Sequence, residues 1–188
     1  MADKAALRTT SRKTRGRLDH QALSVVISRE FVRLVRERFM GASIAGYCAI
    51  GTEMNPYDAM VECHAMGCKL CVPVIRKSEK KLVFGHWTPA MDMVIGQFGI
   101  AEPVVLDQQV PDVIVLPLLA YDGEGRRLGY GGGYYDRALA ELRAVGQVWA
   151  IGFAAGGQMV DALPCDMHDQ PLDMVVTDFG VTEFLSHS

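Results

Sequence analysis

Nowhere does this chain of 188 residues hold the roughly twenty consecutive apolar residues that carry a helix across a bilayer. Its opening, "MADKAALRTTSRKTRGRLDH", lacks the apolar stretch of a secretory signal. The same segment is rich in Arg, Ser and Thr in the manner of an organelle transit peptide, but Asp3 and Asp19 argue against one, so a cytoplasmic location is expected. A large net charge is missing too. The formal value of −3 excludes an overall nucleic-acid signature. Its distribution is uneven: residues 1–40 hold ten Lys/Arg against four Asp/Glu, and the remainder holds nine against eighteen. An interaction arm and a solvated helix face both fit that basic segment. Cysteine is sparse and odd in number, at positions 48, 63, 68, 71 and 165. Cys63, Cys68 and Cys71 with His64 nearby invite a metal reading, yet the spacing completes no four-ligand zinc pattern. Reduced thiols in a reducing compartment account for them more simply. Repeats, low-complexity tracts and long linkers are absent, which leaves one domain over 1–188.

What is present alternates. The first forty residues read as helical, with Val26, Phe31, Leu34, Val35 and Phe39 recurring at three-to-four spacing before Gly41. "SIAGYCAI" (43–50) reads as a strand, and Pro56 suits the first turn of a helix that Gly67 closes. "KLCVPVI", "KLVFGHW" and "DVIVLPLL" (112–119) follow as strands. A helix through "YYDRALAELRAVG" has Ala138, Leu139, Leu142 and Val145 as its apolar stripe, and two more strands lie in "VWAIGFA" and "MVVTDFGV". Strands alternating with helices imply an α/β domain with a largely parallel sheet covered on both faces. Its ligand crevice would lie at the carboxyl ends of strands.

Four glycines fall within five positions in "RLGYGGGYYDRAL" (127–139), between an apolar run and a helix start. Backbone freedom there suits either a turn or close approach to a ligand such as a phosphate. Neither common nucleotide motif fits. No Lys follows in a P-loop frame, and Gly129 with Gly131 would require glycine at 134, where Tyr134 stands. Asp136 in the first helical turn complements the helix dipole, or holds a divalent cation beside a polyphosphate; Asp169 and Asp173 are available as a second carboxylate. Lys4 and Arg8 share one helix face, as solvated charge or as phosphate ligands. Glu53 follows a strand directly, either as an exposed turn residue or as an acid facing the crevice.

Taken together these residues resemble the 5-formyltetrahydrofolate cyclo-ligase family, also called 5,10-methenyltetrahydrofolate synthetase. The likeness is closest over "PDVIVLPLLAYDGEGRRLGYGGGYYDRALA" (111–140) and extends through "KAALR", "GTEMNP", "FGIAEP" and "HDQPLD". The resemblance implies a three-layer α/β/α fold with a mostly parallel central sheet. It also implies an ATP- and Mg²⁺-dependent enzyme that converts 5-formyltetrahydrofolate, with or without a polyglutamate tail, to 5,10-methenyltetrahydrofolate, ADP and phosphate. By the same resemblance Lys4, Arg8, Arg127, Gly129, Gly131, Gly132, Gly133, Tyr134 and Tyr135 would form the ATP site. Asp136 and Asp169 would hold the metal. Cys48, Glu53, Tyr130 and Tyr134 would bind the folate, with Glu53, Tyr134 and Arg127 taking part in catalysis. Nucleic-acid and membrane partners are not expected, and the chain would be a monomer or weak homodimer. Two departures stand out: Cys48 where a larger aliphatic is common, and Gly132 where some members place a lysine. A non-catalytic folate- or RNA-associated module on the same fold is the main rival. A sugar-phosphate or coenzyme A enzyme on a similar scaffold is another.

Overall fold

The computed structural model describes residues 3–184. Two helices open it, α1 (Lys4–Arg15) and α2 (His20–Arg38). Aspartates cap both: Asp3 accepts from the Ala5 amide at 2.9 Å and Asp19 from the Ala22 amide at 3.1 Å. Strands β1 (Ser43–Ala45), β2 (Lys69–Arg76) and β3 (Lys81–His86) follow, with α3 (Tyr57–Ala65) between the first two. Short strands β4 (Met93–Ile95), β5 (Ala101–Pro103) and β6 (Gln108–Gln109) precede β7 (Val113–Pro117). A small hairpin, β8 (Ala120–Tyr121) and β9 (Arg127–Leu128), leads to α4 (Tyr134–Arg143). Strands β10 (Trp149–Phe153), β11 (Met174–Thr177) and β12 (Gly180–Glu183) complete the order.

Eight strands form one sheet in the order β12-β11-β10-β7-β1-β2-β3-β6. Its centre, from β11 to β2, is parallel, and the outer strands β12, β3 and β6 pair antiparallel. Alternation along each strand feeds two cores. Val113 and Val115 pack with α2 and α3 on one face, whereas Ile114 and Leu116 pack with Ala138 and Leu139 of α4 on the other. Three layers result, as the sequence implies. Among the described residues no helix is long and apolar enough to cross a membrane.

The chain from β1 runs through α3 to β2 on one side, while β7 runs through α4 to β10 on the other. Strand order therefore reverses between β1 and β7, and a crevice opens at their carboxyl ends.

Three expectations need correction. The strand expected over 43–50 ends at Ala45. Beyond the Gly46 amide, which still bonds to the Cys71 carbonyl, the chain leaves the sheet, and Tyr47 and Cys48 become the wall of a cavity. The strand expected over 112–119 spans only Val113–Pro117, though Leu118 and Leu119 stay buried. Val145 is 84 % exposed, because α4 ends at Arg143 and the stripe stops with it.

Candidate active site

The glycine segment joins β9 to α4 at the open end of the β1/β7 crevice. Gly131 and Gly133 have left-handed backbone, with φ of +96° and +64°. A Cβ at Gly131 would lie 3.0 Å from the Arg8 guanidinium carbon, and one at Gly133 would lie 2.9 Å from an Arg137 nitrogen. The left-handed conformation favours glycine at both positions, and an added carbon would also displace an arginine end. Because Gly133 is the N-cap of α4, no side chain bonds the first amides of that helix, which is the arrangement that receives an anion.

The hairpin before this loop is set by Asp122, whose side chain has no solvent exposure. Its carboxylate accepts from the amides of Glu124, Arg126 and Leu163 and from Arg126 Nε. Replacing Asp122 by Asn turns one of its two accepting oxygens into a donor facing donors, and should lower unfolding free energy by about 1–3 kcal/mol. Denaturant midpoints check this; an unchanged midpoint would show that the turn holds without its carboxylate.

The hairpin delivers Arg127, whose side chain is 7 % exposed. Its Nη2 donates to Asp136 Oδ1 at 2.6 Å and its Nη1 to the Gln170 carbonyl. Burial lowers the Arg127 pKa, while Asp136 and Asp169 act in the opposite sense. Asp136 also accepts from the Gln170 amide at 3.1 Å, which brings the 166–170 segment against the start of α4. Lys4 Nζ reaches Asp169 at 2.6 Å and Asp166 at 3.0 Å. Burial opposes the Lys4 charge, but hydrogen bonds to both aspartates outweigh it and raise the pKa. Asp173 is elsewhere: it accepts from Arg143 Nη2 and the Ala150 amide, pinning α4 to β10.

Among the described residues no three His, Cys, Asp or Glu side chains cluster as a self-sufficient metal cage. Two carboxylates facing one set of cations fit Mg²⁺ better than a structural ion, since Mg²⁺ takes one or two carboxylates and completes its shell with phosphate and water. Arg8 Nε donates to the Gly129 carbonyl at 3.0 Å. Gly132 is exposed; its carbonyl accepts from Arg137, whose guanidinium lies 5.0 Å from the centre of the Tyr134 ring. Tyr134 also meets Phe98 edge-on at 6.3 Å, from the turn between β4 and β5.

On the other side of the crevice lies a cavity of about 270 Å³ lined by Tyr47, Cys48, Tyr57, Met60, Trp87 and Met93. A larger open hollow of about 460 Å³ between α2 and α3 shares no lining residue with the glycine segment or the Glu53 loop. Glu53 is 6 % exposed, so it is not an exposed turn residue. Its Oε2 accepts from the Ile50 amide at 2.9 Å. Burial pushes its carboxyl above the ordinary range, opposed by the Ile50 amide, Arg15 and the Tyr130 hydroxyl. Tyr135 lies close enough to Glu53, Cys48 and Arg127 to feel their charges, and burial raises its pKa. These contacts link Lys4 to Asp169, Arg8 to the glycine segment and Arg127 to Asp136, with Tyr135 near Glu53 and Cys48, while Asp173 stands apart.

Sequence reasoning missed Asp166, Asp122 and Arg15. The last carried a signal. Lys4, Leu7, Arg8, Ser11 and Arg15 are the buried or half-buried positions of α1, a helical stripe that is cationic where apolar residues are usual.

Comparison with known proteins concerns the sequence and the fold. A family model described as "5-formyltetrahydrofolate cyclo-ligase family" matches residues 1–178. The 5-formyltetrahydrofolate cyclo-ligase of Haemophilus influenzae is 32 % identical over 176 residues, covering 88 % of this chain and 92 % of that one. The Escherichia coli K12 protein of the same name is 31 % identical over 151 residues, covering 77 % and 82 %. The NMR structure of Aquifex aeolicus 5,10-methenyltetrahydrofolate synthetase superposes with a TM-score of 0.80 at 27 % identity, covering 98 % of this chain and 94 % of that one.

Proposed function

Because the chain belongs to the 5-formyltetrahydrofolate cyclo-ligase family and is an enzyme of that kind, we propose that it uses ATP and Mg²⁺ to close 5-formyltetrahydrofolate to 5,10-methenyltetrahydrofolate. One observation carries this reading. The glycine segment, with Arg8 on the Gly129 carbonyl and Arg127 just before it, leads into Tyr135, which lies near Glu53 and near Cys48 in the wall of an apolar cavity of about 270 Å³. A polyanion and a flat heterocycle would meet there.

In this proposal Lys4, Arg8, Arg127 and the amides of the glycine segment and α4 hold the triphosphate, with Tyr134 and Tyr135 walling the reacting groups. Asp136 and Asp169 would hold Mg²⁺, which supplies neutralisation of phosphate charge when bound. Arg137, already over Tyr134, supplies a cation where Gly132 stands in place of a lysine. The folate would lie with its ring in the Cys48 cavity and its formyl group towards Tyr130 and Tyr134. The formyl oxygen is a poor leaving group until it accepts the γ-phosphoryl of ATP. N10 then attacks the formyl carbon, and the carbon–oxygen bond breaks to release phosphate, which carries off the N10 proton as the methenyl bridge forms. Such a transfer asks the protein for positioning and charge balance rather than a nucleophile of its own. Excluding water would protect the phosphorylated intermediate. The free cysteines suit a reducing cytoplasm.

The test is direct: protein, 5-formyltetrahydrofolate and Mg²⁺-ATP together should build up the near-ultraviolet absorbance of the methenyl product, and omission of ATP should stop it. Folate binding without ATP-dependent conversion would defeat the proposal and favour a storage role.

Glu53 gives a second measurement. With its carboxyl held above the ordinary range, the acid limb of kcat/KM for the folate should lie above that of an unperturbed glutamate. Glu53→Gln should abolish that limb and cost roughly tenfold in kcat/KM, the worth of one hydrogen bond to a charged group. ATP affinity should hold. A limb that survives the substitution would remove Glu53 from the folate side.

A further inference from the structure

Arg15 is 2 % exposed, and nothing in the reading above requires it. Its three donating nitrogens reach three separate parts of the crevice. Nε donates to Thr52 Oγ1 at 3.0 Å, Nη1 to the Leu118 carbonyl at 2.9 Å, and Nη2 to the Tyr130 hydroxyl at 2.6 Å. These are the residue before Glu53, the chain leaving β7, and the glycine segment. Its backbone is held as well, because the His20 ring nitrogen lies 2.8 Å from the Arg15 carbonyl.

Two arginines of the same hairpin meet carboxylates directly, Arg126 with Asp122 at 2.7 Å and Arg127, whose side chain is also buried, with Asp136 at 2.6 Å. Among the described residues Arg15 forms no such pair within 4.0 Å; its hydrogen bonds go to neutral oxygens. A buried guanidinium placed only for stability would be expected to carry its counter-charge beside it. Here the acid that feels its charge is Glu53.

Tyr130 is the connection. Its hydroxyl accepts from Arg15 and so has its own proton free to donate, and the Glu53 carboxyl lies near enough to feel that hydroxyl. Two guanidinium groups lie against the ring, Arg12 at 5.4 Å and Arg15 at 5.6 Å from its centre. Thr52 gives a shorter second route. The Glu53 loop closes on itself, Glu53 N to the Ile50 carbonyl and the Ile50 amide to Glu53 Oε2, and Arg15 holds that closed loop by the adjacent hydroxyl.

We infer that Arg15 is a positioning residue: acting through Tyr130 and Thr52, it fixes the Glu53 carboxylate against the glycine segment and so ties the folate side of the crevice to the nucleotide side. The catalytic consequence rests on the proposed role of Glu53, whereas the geometry does not. Lysine cannot replace it fully, since a single ammonium cannot match the fixed fork of three divergent bonds.

The experiment uses the full chain in four forms: Arg15→Met, Arg15→Lys, Tyr130→Phe and Arg15→Met/Tyr130→Phe. Carbon-13 NMR follows the Glu53 carboxyl through pH without any substrate, with Glu53→Gln assigning the signal. The groups facing that carboxyl are Arg15 from α1, Tyr130 from the glycine segment, Tyr135 from α4 and Tyr47 from its own loop. Loss of Arg15 should move the midpoint upward, loss of Tyr130 should move it the same way, and the double variant should fall short of the sum. In turnover, Arg15→Met should lose about tenfold or more in kcat/KM for the folate, one pKa unit's worth of interaction, with Arg15→Lys recovering part. The dissociation constant of a non-hydrolysable ATP analogue should stay within about twofold. A midpoint unmoved by Arg15→Met, or equal losses for both ligands that follow thermal stability, overturns the inference. Should Arg15→Met fail to fold, Arg15→Lys and Tyr130→Phe give the same comparison. Failure of wild-type turnover would overturn the functional proposal and leave the NMR result standing.

Discussion

Asp136→Asn should reduce Mg²⁺-ATP-dependent turnover by roughly two to three orders of magnitude, the scale seen when one preorganised charge-stabilising group is lost from an active site. The substitution is nearly isosteric. Its remaining oxygen can still accept from the Gln170 amide and from Arg127, the two bonds that Asp136 Oδ1 makes. The fold should therefore persist while the negative charge is gone. In the proposed site that charge does two jobs: it balances a buried guanidinium, and it gives Mg²⁺ a hard anionic ligand beside phosphate. Turnover measured across Mg²⁺ concentrations, with circular dichroism and thermal unfolding as controls, separates them. Part of the loss should return at high Mg²⁺. Wild-type turnover in this variant would take Asp136 out of the metal site.

Gly131→Val should weaken ATP binding by at least about tenfold, equivalent to some 1.4 kcal/mol. Two independent costs combine. At φ +96° an L-residue is strained, by about 1–2 kcal/mol for left-handed backbone, and a β-branched side chain is among the least tolerant. The new Cβ would also stand 3.0 Å from the Arg8 guanidinium carbon, displacing the cation that bonds the Gly129 carbonyl. Calorimetric titration with a non-hydrolysable ATP analogue reads the result. Gly146→Ala, at a position with no atom within 4 Å of the added carbon, should bind as the parent does. Normal affinity in Gly131→Val would mean that the glycines serve only the turn.

Much of this was legible in the sequence because it is local. The apolar run 113–116 alternates between two faces, and the structure divides it between two cores in that order. The clustering of glycine marked 129–133 as a segment of unusual backbone freedom, and Gly131 and Gly133 use it in left-handed backbone. Other features defeat a linear reading. "SIAGYCAI" is apolar throughout, and apolarity does not distinguish a strand from the wall of a pocket; Tyr47 and Cys48 are the latter. Strands of two or three residues such as β6 and β8 have no period to detect. Lys4 and Asp169 meet across 165 positions of sequence, and no spacing rule pairs them. Arg15 is the instructive case. It continues the stripe of Lys4, Arg8 and Ser11, but a buried stripe is sought among apolar residues, and charge on a helix is ordinarily assigned to solvent.

The composition of that stripe bears on the order in which the molecule comes together. α1 has twelve residues, and helices of that length are marginal alone in water. Its inward face offers one leucine, half-buried against Leu119, Ala120, Leu128 and Leu163; the rest of its attachment is polar. The partners lie between 37 and 165 positions away, on loops that exist as surfaces only once β7, the β8–β9 hairpin and the 166–170 segment are built. Closing such distances costs entropy that little apolar burial offsets. The sheet can therefore mature without α1, but α1 cannot seat without the sheet. Docking of this helix would come late in folding and its release early in unfolding, through a state with an intact core that lacks the Lys4 and Arg8 cations.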